Sequence, residues 1–249
     1  MNPLLDPNAK LVVAHRGNRA HAPENTIESF RQARELGADA LELDVRMSRD
    51  GHAVVIHDAT VDRTTNGKGP VAAHTLSELR ALDAAAKFGG RYPVTAMPRL
   101  EEVFDAFRDI PIVIEVKELP AVEATEAVVR RFGAQGRVIV GSAREAVMQH
   151  FYGTGLSCCA SGSDATRLML RGLTGLTPRN PKYQVVSVPP RYYGFPIPIV
   201  AMAAAARRAG IPTQVWTVND PARAAWYWRK GVAAIVTDDP AAMIRARSR

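Results

Sequence analysis

Two histidines each close an apolar run, His15 after Leu11-Val12-Val13-Ala14 and His57 after Ala53-Val54-Val55-Ile56. An imidazole titrates near neutral pH, so a pair can divide proton removal and proton delivery. Between them lies Leu41-Glu42-Leu43-Asp44-Val45, in strict apolar/polar alternation. Successive side chains of a strand point to opposite faces, so Glu42 and Asp44 share one face and Leu41, Leu43 and Val45 the other. Two carboxylates about 5 Å apart repel by ~3 kcal/mol at an effective dielectric of about 20. Keeping both ionised takes a bound cation or a neighbouring Lys or Arg; otherwise the pKa of one acid must rise. A hard divalent cation such as Mg²⁺ or Ca²⁺ accepts carboxylate oxygens readily. Further on, Ile112-Val113-Ile114-Glu115-Val116-Lys117 sets Glu115 and Lys117 on one face by the same period of two. The acid can join a metal shell, and the ammonium can meet an anionic oxygen. Arg16 follows His15 directly and brings to the same strand end a guanidinium fork suited to two phosphate oxygens. These are the parts that phosphodiester cleavage needs: two proton carriers, and positive charge to offset the developing oxyanion.

Such residues act together only if a scaffold gathers several strand ends at one place. Strand-like apolar runs occur near 11–15, 39–45, 53–57, 111–117, 137–141, 155–160, 184–188, 212–218 and 233–237. Helix-like stretches separate most of them. In 25–36, Ile27, Phe30, Ala33 and Leu36 recur at helical spacing. Others are 100–107, 121–132 and 199–209. Gly37, Gly133, Gly210 and Gly231 follow helical stretches, which is a C-cap signal. Alternating strand and helix predicts a parallel α/β fold, and about eight such units in 249 residues fit a (β/α)8 TIM barrel of ordinary size. An open doubly wound sheet is the runner-up, but His15-Arg16-Gly17-Asn18-Arg19-Ala20 is not a Gly-rich dinucleotide loop.

Two stretches break the rhythm. Residues 59–99 read as an insertion after the second or third strand, with a turn at Thr64-Thr65-Asn66-Gly67 and a short helix over 76–82. Residues 188–198 are rich in Pro and aromatics. They read as a rigid connector whose aromatics pack on the barrel rim, with a wall of the mouth or a membrane-touching lip as alternatives.

Composition bounds the remainder. The length suits one domain over 1–249. No apolar run reaches the ~18 residues of a transmembrane helix. The first residues lack a charged segment followed by an apolar one, so no secretory signal is expected. Cys158 and Cys159 are the only cysteines and are adjacent, which rules out a disulfide framework and points to a reducing cytoplasm. The net charge of +7 is dispersed, apart from Arg245, Arg247 and Arg249, and no nucleic-acid-binding signature accompanies it. His21, His52, His74 and His150 lie in loop, turn or helical contexts and receive no role.

The order His15-Arg16-Gly17, Pro23-Glu24-Asn25-Thr26, Glu42-Leu43-Asp44-Val45, Val54-Val55-Ile56-His57-Asp58 and Arg63-Thr64-Thr65-Asn66-Gly67 resembles the glycerophosphodiester phosphodiesterase family. Ile114-Glu115-Val116-Lys117, Val215-Trp216-Thr217-Val218-Asn219 and Ile235-Val236-Thr237-Asp238-Asp239-Pro240 extend the resemblance, so that it spans most of the chain. The resemblance implies a (β/α)8 barrel with its site at the C-terminal ends of the strands. It implies hydrolysis of glycerophosphodiesters to sn-glycerol 3-phosphate and an alcohol, with a divalent cation, Mg²⁺ or Ca²⁺, and Mn²⁺ as a further option. By position, Glu42, Asp44 and Glu115 would hold the metal, and His15 and His57 would act as general acid and base. Arg16 and Lys117 would bind the phosphate, Glu24 and Asn25 would border the substrate, and Trp216 would line the pocket. Three other readings remain: a lysophospholipase D-type enzyme of similar fold, an idle binding barrel, and a glycosidase. The idle barrel would lack part of the constellation, and a glycosidase leaves the paired histidines and Lys117 unexplained.

Overall fold

The computed structural model describes residues 2–248. Eight parallel strands run β1 (Leu11–His15), β2 (Ala40–Met47), β3 (Ile112–Val116), β4 (Val138–Gly141), β5 (Ser157–Cys158), β6 (Val186–Val188), β7 (Thr213–Val215) and β8 (Ala234–Thr237). Their hydrogen-bonded order is β5-β4-β3-β2-β1-β8-β7-β6. A parallel bridge between Cys159 and Val185 joins the two ends and closes the sheet. A helix follows each strand: α1 (Ile27–Glu35), α2 (Leu100–Ala106), α3 (Val122–Arg131), α4 (Glu145–Phe151), α5 (Gly162–Leu173), α6 (Ile199–Arg208), α7 (Pro221–Arg229) and α8 (Pro240–Arg247). This is the expected (β/α)8 barrel. The four marked glycines all adopt positive φ just past α1, α3, α6 and α7.

Each barrel strand is buried on both faces, which is why most read as continuous apolar runs rather than alternating ones. Inside, Val13, Ala40, Val113, Ile139, Cys159, Val185, Ala234 and Val236 form one cluster, and Leu4 from a preceding 3₁₀ turn packs against it. Outside, two separate clusters lie between sheet and helices. One collects Phe30, Leu41, Phe104, Ile114, Val129 and Phe151; the other collects Leu168, Met202, Val215, Trp228, Ile235 and Met243. Truncating a fully buried phenylalanine such as Phe104 would cost about 3–5 kcal/mol.

The insertion follows β2. It starts earlier than the expected 59–99: a short strand, Ala53–Val55, doubles back antiparallel on β2 with Val45 opposite Val55. It therefore descends toward the barrel mouth, and Ile56 donates its N–H to the carbonyl of Asp44. Beyond it, a helix at Leu76–Arg80 carries a Thr75/Glu78 capping box, and Val54, Ile56, Val61, Val71, Leu79 and Met97 share a small core. Among the described residues, no helix is long and apolar enough to cross a membrane.

One expectation fails. The 188–198 stretch does not fold its aromatics onto the rim. Arg191–Tyr192 pairs with Phe195–Pro196 in a two-residue hairpin, and Tyr193 and Gly194 both have positive φ. Such a turn matches the twist of the two short strands it joins. Tyr192, Tyr193 and Phe195 are 60%, 85% and 75% exposed.

Candidate active site

Strand register gathers the acids. His15 of β1 lies beside Glu42 of β2, and Asp44 of β2 beside Glu115 of β3. One carboxylate oxygen from each of Glu42, Asp44 and Glu115 lies within 4.8 Å of the others. Glu42 and Asp44 are buried, and Glu115 is partly open. Lys117 Nζ sits 2.9 Å from Asp44 Oδ1 and 2.8 Å from Glu115 Oε2. Arg16 Nε sits 3.0 Å from Asp44 Oδ2, which also accepts a 2.9 Å hydrogen bond from Asn25 Nδ2. Burial works to raise the Asp44 pKa, but Lys117 and Arg16 together hold it below its ordinary value. Glu42 differs. It accepts the Arg16 backbone N–H at 3.0 Å, and among the described residues no Lys or Arg side chain comes within ion-pairing distance. Burial, and then the charge of Asp44, raise its pKa.

This donor set fits a hard divalent cation. All three groups offer carboxylate oxygens, and the buried Oδ1 of Asp44 faces Lys117 without a hydrogen bond of good geometry. A buried carboxylate with no counter-charge is costly, and a shared cation relieves both the burial and the repulsion.

The histidines stand on matching supports. His15 Nδ1 lies 2.7 Å from Asp238 Oδ1, and His57 Nδ1 lies 2.6 Å from Asp58 Oδ1. The pKa of both aspartates is held down to about 2, below the ordinary carboxylate value. Burial opposes ionisation of Asp238, but His15 and Asn219 more than offset it. Arg63 is the largest influence on Asp58. Ionised carboxylates only accept, so each imidazole donates from Nδ1 and keeps Nε2 for another partner. Burial lowers the His57 pKa, although Asp44 and Asp58 favour its charged form.

Local chain geometry explains the two loop motifs. After β1 the chain turns sharply through Arg16 (φ 56°) and Gly17 (φ 85°). A Cβ at Gly17 would fall 2.4 Å from Ser29 Oγ and 2.6 Å from the Ser29 carbonyl carbon, so only glycine fits beneath α1. Ser29 Oγ in turn donates to the Arg16 carbonyl. In Pro23-Glu24-Asn25-Thr26, Thr26 caps α1 through Ser29 N–H and donates its hydroxyl to the Pro23 carbonyl. Asn25 takes a left-handed conformation (φ 57°), which Asn tolerates better than most residues. Its N–H binds the Arg16 carbonyl while its side chain holds Asp44. Glu24 is met by Arg16, Arg19 and Arg63. In Asp238-Asp239-Pro240, the first aspartate turns to His15, the second caps α8, and the proline occupies its first turn.

The predicted residues therefore converge on one mouth, with Trp216 just past β7 at its edge and 42% exposed. Arg16 and Lys117 are already paired with acids, so an anion would share them with the carboxylates. Sequence reasoning assigned no role to Asp58, Asp238, Arg19, Arg63 or Asn219. Asp58, Arg63, Asn219 and Asp238 all lie within the family-like motifs, and a carboxylate directly after His57 was the available signal. The partner of His15 lies 223 residues away.

A model of the glycerophosphoryl diester phosphodiesterase family matches residues 15–242. A glycerophosphodiester phosphodiesterase from Caldanaerobacter subterraneus subsp. tengcongensis is 35% identical over 241 residues, covering 94% of this chain and 96% of the relative. The crystal structure of a glycerophosphodiester phosphodiesterase from Agrobacterium tumefaciens is similar at 30% identity and a TM-score of 0.80, covering 96% of this chain and 100% of that one. A glycerophosphoryl diester phosphodiesterase domain from Mycobacterium tuberculosis shares the fold at 22% identity, with a TM-score of 0.83 and coverage of 96% and 99%.

Proposed function

This chain belongs to the glycerophosphoryl diester phosphodiesterase family, and from that premise we propose that it hydrolyses glycerophosphodiesters to sn-glycerol 3-phosphate and an alcohol. Glu42, Asp44 and Glu115 would hold a divalent cation, Mg²⁺ or Ca²⁺ or Mn²⁺, which offsets charge on the phosphoryl oxygens when bound. The observation that carries this reading is Glu42: a buried carboxylate with, among the described residues, no Lys or Arg side chain at ion-pairing distance, and within 4.8 Å of two further acids.

The chain's own groups supply the rest. Lys117 and Arg16 border the acids and offer N–H donors to phosphate oxygens. His15 and His57, with Nδ1 held on Asp238 and Asp58, have Nε2 available for proton work. One imidazole takes the proton of the attacking oxygen, from water directly or from a substrate hydroxyl whose cyclic phosphate water then opens, and the other protonates the departing alkoxide. Trp216 offers an aromatic face to the glycerol or alcohol portion.

A panel of glycerophosphocholine, glycerophosphoethanolamine, glycerophosphoglycerol and lysophospholipids, each assayed with and without EDTA, tests the reading. We expect chelation to lower turnover by ~10³-fold or more, and added Mg²⁺, Ca²⁺ or Mn²⁺ to restore it. Full turnover in EDTA would remove the proposed metal, and absence of turnover on every diester would remove the substrate class. A second reading, cleavage of lysophospholipids in the manner of a phospholipase D, is favoured by the exposed aromatics Tyr192, Tyr193 and Phe195 on the loop that follows β6. The same panel ranks the two.

A further inference from the structure

The two histidine supports are not separate. Asp58 is clamped by Arg63, with Nε 2.6 Å from Oδ2, and Asp238 by Arg19, with Nη1 3.1 Å from Oδ1. Both arginines then converge on one carboxylate. Arg63 Nη2 and Nη1 donate to Glu24 Oε1 and Oε2 at 2.7 and 2.8 Å, and Arg19 Nε donates to Oε2 at 3.0 Å. Arg16 Nη1 adds a 2.9 Å bond to Oε1. We propose that Glu24 is a positioning residue that couples the two histidines, through the unbroken path His15–Asp238–Arg19–Glu24–Arg63–Asp58–His57. This goes beyond bordering the substrate and rests on the proposed proton roles of the two imidazoles.

Geometry and charge both support a hub. The Glu24 side chain is only 9% exposed, and its oxygens are fully engaged by guanidinium groups. Burial opposes its ionisation, yet Arg63 and Arg16 and then Arg19 hold its pKa far below the carboxylate range. Without that charge, three guanidiniums would crowd one another. Arg63 and Arg19, 44% and 33% exposed, would swing toward water and release both aspartates. Partners of this kind orient the groups that do the chemistry, and their loss typically lowers activity by about 10–100-fold.

The test is Glu24→Gln in protein carrying ¹⁵N-labelled histidine, with the Nδ1–H resonances of His15 and His57 assigned by their alanine variants. We expect both resonances to shift and kcat to fall about 10–100-fold with KM within about twofold, as for an outer partner acting through other groups. A folded Glu24→Gln protein in which both resonances and kcat stay unchanged would overturn the proposal. So would a rise in KM alone, which would mark a substrate contact. Because Glu24→Gln could impair folding, Arg63→Met on the exposed side supplies a second measurement. Coupling requires the His15 resonance to move along with that of His57, and movement of His57 alone would sever the path. The spectra are read without any substrate, so a wrong substrate class would leave this result standing or falling on its own.

Discussion

The two arcs of the barrel are built from the same strand–helix unit and carry opposite chemistry. Strands β1 to β3 deliver His15, Glu42, Asp44, Glu115 and Lys117 to the mouth. Strands β4 to β7 end in or beside Gly141, Cys159, Val188 and Trp216, none of them charged. The outer cores divide elsewhere: the cluster behind β2 and β3 runs on past β4 and β5 through Val140, Phe151 and Cys158, and the other covers β6 to β8 with Met202, Trp228 and Met243. The contrast has a physical reason. Buried charges are tolerable only when compensated at short range. Concentrating them on adjacent strands lets Lys117 serve Asp44 and Glu115 together, and Arg16 serve Asp44 and Glu24. The uncharged arc is then free to vary in shape. β8 is the exception, sending Asp238 across to His15.

The sharpest way to break this contrast is to remove chemistry from the charged arc. His15→Ala and His57→Ala should each lower kcat by on the order of 10²–10⁴, the usual contribution of positioned general acid–base groups. Circular dichroism and thermal melting should stay close to the parent, because His57 is partly exposed and neither ring belongs to the apolar clusters. Preserved kcat in either variant would move the proton work elsewhere and blur the division between the arcs.

The same division governs what the sequence disclosed. The charged arc was legible because its logic is local. Alternation alone sets Glu42 and Asp44 on one face, and nine apolar runs mark eight barrel strands plus the Ala53–Val55 return strand. Helices with a clear apolar stripe, such as α1 with Phe30 and Ala33, were equally plain. Helix α4 was missed although it is as long as α2, which the sequence showed at 100–107. Helix α5 does carry a stripe, Ala165, Leu168 and Met169, but Leu170 and Leu173 stand exposed beside it and blur the pattern. The Glu24 hub was hidden for a different reason. Arg63 lies 39 residues from Glu24, and Asp238 lies 219 from Arg19, so only the closed barrel brings them together. The aromatic hairpin was misjudged because composition cannot say whether the rim offers a surface to pack on.

A milder probe works on the uncharged arc. Trp216 follows β7 at the mouth and is 42% exposed, and its proposed contribution is aromatic contact with the substrate. Trp216→Ala should raise KM by about 3–10-fold, corresponding to roughly 0.5–1.5 kcal/mol of aromatic contact, and leave kcat within about twofold. Steady-state kinetics on glycerophosphocholine separates the two constants. A fall in kcat instead would mean that the second arc takes part in the chemical step, and the contrast would weaken.

The smallest expected effect distinguishes the uncharged arc from the hairpin that grows out of it. Tyr193 is 85% exposed at the tip of that ribbon, so it contributes little to the fold. Tyr193→Ser should therefore leave Tm unchanged and turnover of glycerophosphocholine within about twofold, as for other surface substitutions. A lysophospholipid brings an acyl chain and an interface, where a tyrosine sits favourably with its ring in apolar surroundings and its hydroxyl in water. On lysophosphatidylcholine dispersions the same variant should lose about threefold in kcat/KM, close to 0.7 kcal/mol. Equal losses on both substrates would make the hairpin part of the common mouth, and no loss on either would reduce it to a spacer. A loss confined to the lipid would show that the uncharged arc extends outward to select among diesters that the charged arc cleaves alike.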